Sequence, residues 1–126
     1  MTLNFIPAGG LLAELDLLRV ELAGAVAHVQ LHRPGKRNAI SDKMLKQLQT
    51  AFINLPAGVR AAVLSGAGKH FCAGLDLAAQ MNAPKGALGG LSSGGGAAFE
   101  LDLRTTPPTV LHNLDTPTIC ALNGGA

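Results

Sequence analysis

Between Leu18 and Gly66 the spacing of apolar residues changes twice, and that change limits the fold more than any other feature of the chain. LRVEL, from Leu18, alternates apolar and polar residues, and VAHVQLH alternates again through Val26, Ala27, Val29 and Leu31, with Ala23-Gly24 between them as a turn. Alternation gives each strand one apolar face, so the two runs predict a β-hairpin. Pro34 and Gly35 stop the second strand. Ser41 then stands where a hydroxyl accepts from the first free N–H groups of a helix, and Met44, Leu45, Leu48, Ala51 and Phe52 recur at helical spacing. Lys43, Lys46, Gln47 and Gln49 fall between them on the wet face, and Asn54-Leu55-Pro56 ends the helix. AAVLSG, Ala61 to Gly66, is short, mostly apolar and closed by glycine, which predicts a strand buried on both faces. A strand, a helix and a buried strand in that order predict an α/β fold containing a βαβ unit with a right-handed crossover.

The flanks carry weaker signals. Residues 1–14 contain Pro7, Gly9 and Gly10 without a period and are expected to form an irregular leader, order beginning near Leu15. Beyond the central unit, Asp76 is a helix-start signal, and six glycines between Gly86 and Gly96 predict a mobile loop. Phe99 to Arg104 and Thr109 to Leu114 read as helical pieces broken by Pro107-Pro108, and Thr118 to Leu122 as a second buried strand. A buried strand followed by Gly124-Gly125 usually feeds a helix or a tight loop, so the architecture is expected to be incomplete at its carboxyl end.

Composition narrows the classes. At 126 residues, with 48% hydrophobic side chains, the chain suits one soluble domain that buries roughly 65% of its extended surface. Its net charge is +2, its only basic grouping is Arg33, Lys36 and Arg37, and Trp and Tyr are absent, which argues against a nucleic-acid partner but leaves a local anion site open. Cys72 and Cys120 show no framework spacing, consistent with a reducing compartment, and the cytoplasm is the expected one. The amino terminus lacks a positive flank and places Glu14 and Asp16 where a signal's apolar core would continue, so no export is expected. The longest uncharged run, Gly86 to Phe99, falls short of the ~20 apolar residues of a membrane span, so no membrane association is expected. Four histidines and two cysteines without paired ligand spacing predict no metal site.

Several motifs fail on inspection. SGAGKH suggests a phosphate loop, but the required earlier glycine is Val63 and the required Ser or Thr is His70; a dinucleotide fingerprint would need glycine at Phe71. His70 and Cys72 share a face in an extended segment, yet apolar surroundings raise a thiol pKa, so Cys72 reads as packing and His70 as a polar rim. Glu100 and Asp102 read as a solvated edge before an acid–base pair. KHFCAGLDL is more telling: Ala73 and Gly74 let a ligand approach the backbone, and Asp76 can cap a helix from Leu77. Free N–H groups there would stabilise an enolate or tetrahedral oxyanion, each donor worth about 3 kcal/mol. A plain strand-to-helix turn fits the same residues.

Three ordered blocks, HRPGKRNAIS (His32 to Ser41), VRAAVLSGAGKHFCAGLDL (Val59 to Leu77) and LDTPTICALNGGA (Leu114 to Ala126), resemble the enoyl-CoA hydratase/isomerase family, the crotonase superfamily. The resemblance spans about Leu17 to Ala126 and corresponds to the amino-terminal half of that family's domain; Met81 to Ala98 is not matched. It implies a crotonase-like (ClpP/crotonase) fold of repeated ββα units over residues 15–126 and an acyl-CoA thioester substrate, with coenzyme A part of the substrate and no separate cofactor. It also implies a homo-oligomer, trimer or hexamer, for the complete family protein, and a place in fatty-acid or aromatic-acid CoA metabolism. Position by position, the N–H of Leu75 matches the first oxyanion donor and the carbonyl of Ala73 the acceptor of the adenine amino group. Lys36, Arg37 and Ala39 match the segment lining the CoA nucleotide and pantetheine, with Gly74, Asp76 and Leu77 completing the substrate-binding set. Cations beside a glycine turn and a helix start suit phosphate independently of the resemblance. The family's second oxyanion glycine and its catalytic carboxylates lie at or beyond the stretch after Asn123-Gly124, so they have no counterpart here, and neither glycine is assigned their role. The expectation is an acyl-CoA hydratase or isomerase, with a truncated non-catalytic remnant that binds CoA or a partner as the alternative.

Overall fold

The computed structural model describes residues 3–76, 110–111 and 114–125. They form a five-stranded mixed sheet in the order β1 (Ile6–Pro7), β2 (Leu18–Ala23), β3 (Val26–Leu31), β4 (Ala61–Gly66) and β5 (Thr118–Cys120). Helix α1 spans Asp42–Ile53.

β2 and β3 form the expected hairpin in a register that pairs Leu18 with Leu31 and Ala23 with Val26. Gly24 takes φ +58°, a conformation costly to residues with a Cβ, so Gly24-Ala25 makes the turn one residue later than expected. Alternation is visible in the burial: Leu18, Val20, Ala27, Val29 and Leu31 enter the core. Ser41 caps α1 by accepting from the Met44 N–H at 3.2 Å, and Met44, Leu48, Ala51 and Phe52 are buried on the helix face that the periodicity predicts. Gln47 clips α1 to the segment leading into β2: its Oε1 accepts from Leu17 N–H, and its amide donates to Asp16. β3 and β4 are parallel neighbours joined through α1, which is the βαβ unit expected from the order of elements.

Three expectations need correction. Residues 6–14 are not an irregular leader: β1 pairs antiparallel with β2, Gly10–Glu14 form a 3-10 turn, and Ala8 and Leu12 join the core. A two-residue strand has no period to read, and its order comes from partners such as the Val20 carbonyl, which accepts from Ala8 N–H at 2.9 Å. β4 is not buried throughout; Ala62 and Gly66 are covered, whereas Ala61, Val63, Leu64 and Ser65 are half-buried. β5 is shorter than expected, Thr118–Cys120, and all three residues are exposed, as is Leu122. An apolar run shows that a strand can be buried, not that something covers it. The expected loop from Gly86 to Gly96, the helical piece from Phe99 to Arg104 and the helix from Leu77 lie outside the described residues, as does most of the piece from Thr109 to Leu114, of which Val110 and Leu111 are helical. No helix among the described residues is long and apolar enough to cross a membrane.

Candidate functional site

β3 and β4 run parallel, so the segments leaving their carboxyl ends, residues 32–41 and 67–76, emerge side by side. In open α/β sheets this is the end where ligands bind. The first segment begins with a 3-10 turn, Pro34–Lys36, for which proline presets the backbone. Arg37 and Asn38 follow in the left-handed region at φ +52° and +56°. The Arg37 and Asn38 amides donate back to the carbonyls of Pro34 and Arg33, so the turn closes on itself.

Asn38 joins this turn to the next. It is fully buried, its Oδ1 accepts from Arg33 N–H at 2.8 Å, and its Nδ2 donates to the carbonyls of Ala67 at 2.9 Å and His70 at 2.8 Å. Gly66 lets the second segment fold back at once: a Cβ there would lie 2.4 Å from the Phe71 carbonyl oxygen. After β5 the chain docks on the same turn, with Asn123 donating to the Gly68 carbonyl and Phe71 N–H to the Gly125 carbonyl.

The two segments then pair directly. Ala73 N–H donates to Arg37 O at 3.0 Å, Ile40 N–H to Gly74 O at 2.7 Å, and Asp76 N–H to Ile40 O at 2.8 Å, a parallel bridge between Ile40 and Leu75. A trans peptide points its C=O and N–H in opposite directions, so a Gly74 carbonyl held by Ile40 aims the Leu75 N–H away from that partner. Among the described residues the Leu75 amide meets no acceptor and the Ala73 carbonyl no donor. Ala73, Gly74 and Leu75 are exposed, and apart from its chain neighbours no described residue lies within 4 Å of the position a Gly74 Cβ would take. Gly74 has φ +94°, which only glycine adopts without strain.

The expected site residues therefore divide. Lys36, Arg37, Ala73, Gly74 and Leu75 come together on the exposed rim where the two segments meet. Lys36 and Arg37 form no ion pair among the described residues. Ala39 is half-buried, and its carbonyl accepts from the Arg33 guanidinium at 3.0 Å. Asp76 is buried, and its carboxylate meets that same guanidinium at 2.7 Å, which places it inside the fold rather than on the open face. Leu77 lies outside the described residues. Cys72 packs against the core, and its sulfur accepts from Gly74 N–H at 3.4 Å, in keeping with the packing role expected of it. A separate cavity of about 490 Å³ between the first 3-10 turn and the edge of β2 shares none of these residues. Sequence reasoning missed Arg33 and Asn38 as organising residues. The available signal was an asparagine closing a Pro-Gly turn, because asparagine tolerates the left-handed region and bonds to nearby backbone.

Comparison with known proteins agrees with this architecture. The family model for enoyl-CoA hydratase/isomerase matches residues 21–126, and the chain belongs to that family. It is 34% identical over 117 residues to the Mycobacterium leprae protein named "Probable enoyl-CoA hydratase echA12", a match covering 91% of this chain and 38% of that one. It is 47% identical over 66 residues to the mitochondrial Delta(3,5)-Delta(2,4)-dienoyl-CoA isomerase of Homo sapiens, covering 48% of this chain and 20% of the relative. Among solved structures, an enoyl-CoA hydratase/isomerase from Xanthobacter autotrophicus Py2 superposes with a TM-score of 0.66 at 32% identity, covering 86% of this chain and 39% of that one. The fold is thus the crotonase fold in part. The chain spans less than half the length of these relatives.

Proposed function

We propose that this chain handles acyl-CoA thioesters, and that the Leu75 amide supplies one of the hydrogen bonds that polarise the thioester carbonyl. The observation carrying this reading is the Leu75 N–H itself: it is aimed by the Ile40–Gly74 bond, unpaired among the described residues, and set beside the open space at Gly74. An enolate forming at the thioester places negative charge on the carbonyl oxygen, and a donor already in position stabilises that charge by about 3 kcal/mol without reorganising.

In this reading Lys36 and Arg37, exposed and, among the described residues, unpaired with other side chains, meet the phosphates of the CoA nucleotide. The Ala73 carbonyl accepts from the adenine amino group, and Gly74 leaves room for the thioester to approach. Asp76, turned to Arg33, supports this arrangement and does not touch the substrate. The chemistry is that of a hydratase or isomerase acting through a thioester enolate, in fatty-acid or aromatic-acid CoA metabolism, within the cytoplasm and, for the complete family protein, in a homo-oligomeric assembly. Relatives named for hydration and for isomerisation both align with this chain, so the shared step, carbonyl polarisation, is the part assigned to it.

Backbone NMR during titration tests the reading. Adding an acyl-CoA should move the Leu75 amide proton downfield, whereas CoA alone should perturb Lys36 and Arg37 and leave Leu75 near its free position. A Leu75 amide that responds to neither ligand would refute it.

A further inference from the structure

We infer that Asn38 is a positioning residue for the Leu75 amide, a proposal that rests on the reading of that amide given above. Every polar atom of the buried Asn38 side chain is used: one acceptor bond from Arg33 N–H and two donor bonds, to Ala67 and His70. The donor bonds cross 29 and 32 residues of sequence to bind the turn leaving β3 to the turn leaving β4.

From that joint the geometry runs to Leu75 through backbone alone. One residue before Asn38, the Arg37 carbonyl holds Ala73 N–H; two residues after it, Ile40 N–H holds the Gly74 carbonyl and so sets the direction of the Leu75 amide. Arg37 and Asn38 occupy two successive left-handed conformations, which a residue with a Cβ adopts only when its surroundings over-determine it. The three Asn38 side-chain bonds supply that determination. Asparagine suits both demands: it tolerates the left-handed backbone, and its amide offers one acceptor and two donors in a single plane.

The same joint carries Lys36 and Arg37, but their charges end long, exposed stems that can follow a displaced phosphate. The one backbone contact proposed for the nucleotide, the Ala73 carbonyl, is a neutral hydrogen bond of about 1 kcal/mol, so disturbing Asn38 should register more at the thioester carbonyl than at the nucleotide. A structural role alone makes no such division.

The variants Asn38→Gly and Asn38→Asp separate these outcomes. Glycine keeps the left-handed backbone and removes all three bonds; aspartate keeps the acceptor and puts one oxygen in place of the Nδ2 that made both donor bonds. The probes are CoA and a conjugated dienoyl-CoA, whose near-ultraviolet absorption moves to longer wavelength when its carbonyl is polarised. In both variants the red shift should be lost, and the affinity gained by dienoyl-CoA over CoA should fall about tenfold or more. CoA affinity itself should stay within about threefold, and thermal unfolding should remain cooperative. A red shift preserved in Asn38→Gly overturns the proposal. Equal losses for CoA and dienoyl-CoA, or loss of cooperative unfolding in both variants, overturn it as well, because Asn38 would then serve the fold at large. If the unaltered chain binds dienoyl-CoA without any red shift, the reading of Leu75 has failed and the proposal falls with it.

Discussion

Ile40 donates its N–H to the Gly74 carbonyl at 2.7 Å, and this bond determines which way the next amide points. The peptide between Gly74 and Leu75 is planar and trans, so fixing its oxygen on Ile40 turns the Leu75 N–H outward. Gly74 makes the arrangement possible by accepting φ +94°. Changing Gly74→Ala should destabilise the protein by about 1 kcal/mol or more, since alanine must leave that conformation or strain to keep it. The relaxed peptide would re-aim the Leu75 amide, so acyl-CoA affinity should fall while CoA affinity changes little. Calorimetric titration of both ligands checks this; equal affinities before and after the change would show that the peptide is not held by Gly74.

The cations make a different prediction. If Lys36 and Arg37 contact the phosphates, replacing both with Ala should weaken CoA binding by about 2 to 3 kcal/mol, at about 1 to 1.5 for each charge-assisted contact. The loss should shrink as salt rises. A short pantetheine thioester, which lacks the nucleotide phosphates, should lose much less. Equal losses for the two ligands would point to a disturbed fold.

How much of this was legible in the sequence differs element by element. The hairpin and α1 were, because alternation and helical spacing are local signals, and Ser41 marks the helix start to the residue. β1 was not: Ile6–Pro7 has no period, and its place is set by β2. The site shows the same division. Leu75, Gly74, Lys36 and Arg37 stood out through small residues, charge and the family resemblance. Asn38 and Arg33 were not assigned, since their decisive contacts reach Ala67, His70 and Asp76, far away in sequence. Asp76 was read as a helix cap and a member of the substrate-binding set, and its carboxylate lies against Arg33, because a carboxylate beside a turn gives no sign of which partner it will find.

Gly66 should be intolerant of any side chain. A Cβ there would meet the backbone of His70 and Phe71, with the nearest atom at 2.4 Å, and backbone cannot swing aside as a flexible side chain would. Gly66→Ala should cost about 1 to 3 kcal/mol, the range for overpacking, and chemical denaturation would measure it. A midpoint equal to that of the unaltered protein would mean that the 67–71 turn is looser than its contacts imply.

Asp16 yields a pH prediction. Hydrogen bonds from Lys43, and then from Gln47, hold its carboxyl down to about 2 from an ordinary value of 3.8. A lowered folded-state pKa means that the tie stabilises the fold above the unfolded value, near 4, and is lost as pH falls through about 2. The carboxylate is exposed, so added salt should weaken the tie. An NMR titration of the Asp16 carboxyl should find its midpoint near 2 and a rise toward the ordinary value in Lys43→Met; a midpoint unmoved by that change would remove Lys43 as the cause.

The most direct test replaces the Leu75 peptide N–H with an ester oxygen by incorporating the corresponding hydroxy acid, which deletes the donor and keeps the side chain. That N–H has no partner among the described residues, so within them the intramolecular cost is a weaker Gly74 acceptor for Ile40, about 1 kcal/mol at most. The measurement is the affinity for a stable analogue of the thioester enolate carried on CoA, compared with the affinity for CoA. The account predicts a loss of about 3 kcal/mol for the enolate analogue and an unchanged affinity for CoA. An enolate analogue bound as tightly by the ester as by the amide would contradict it.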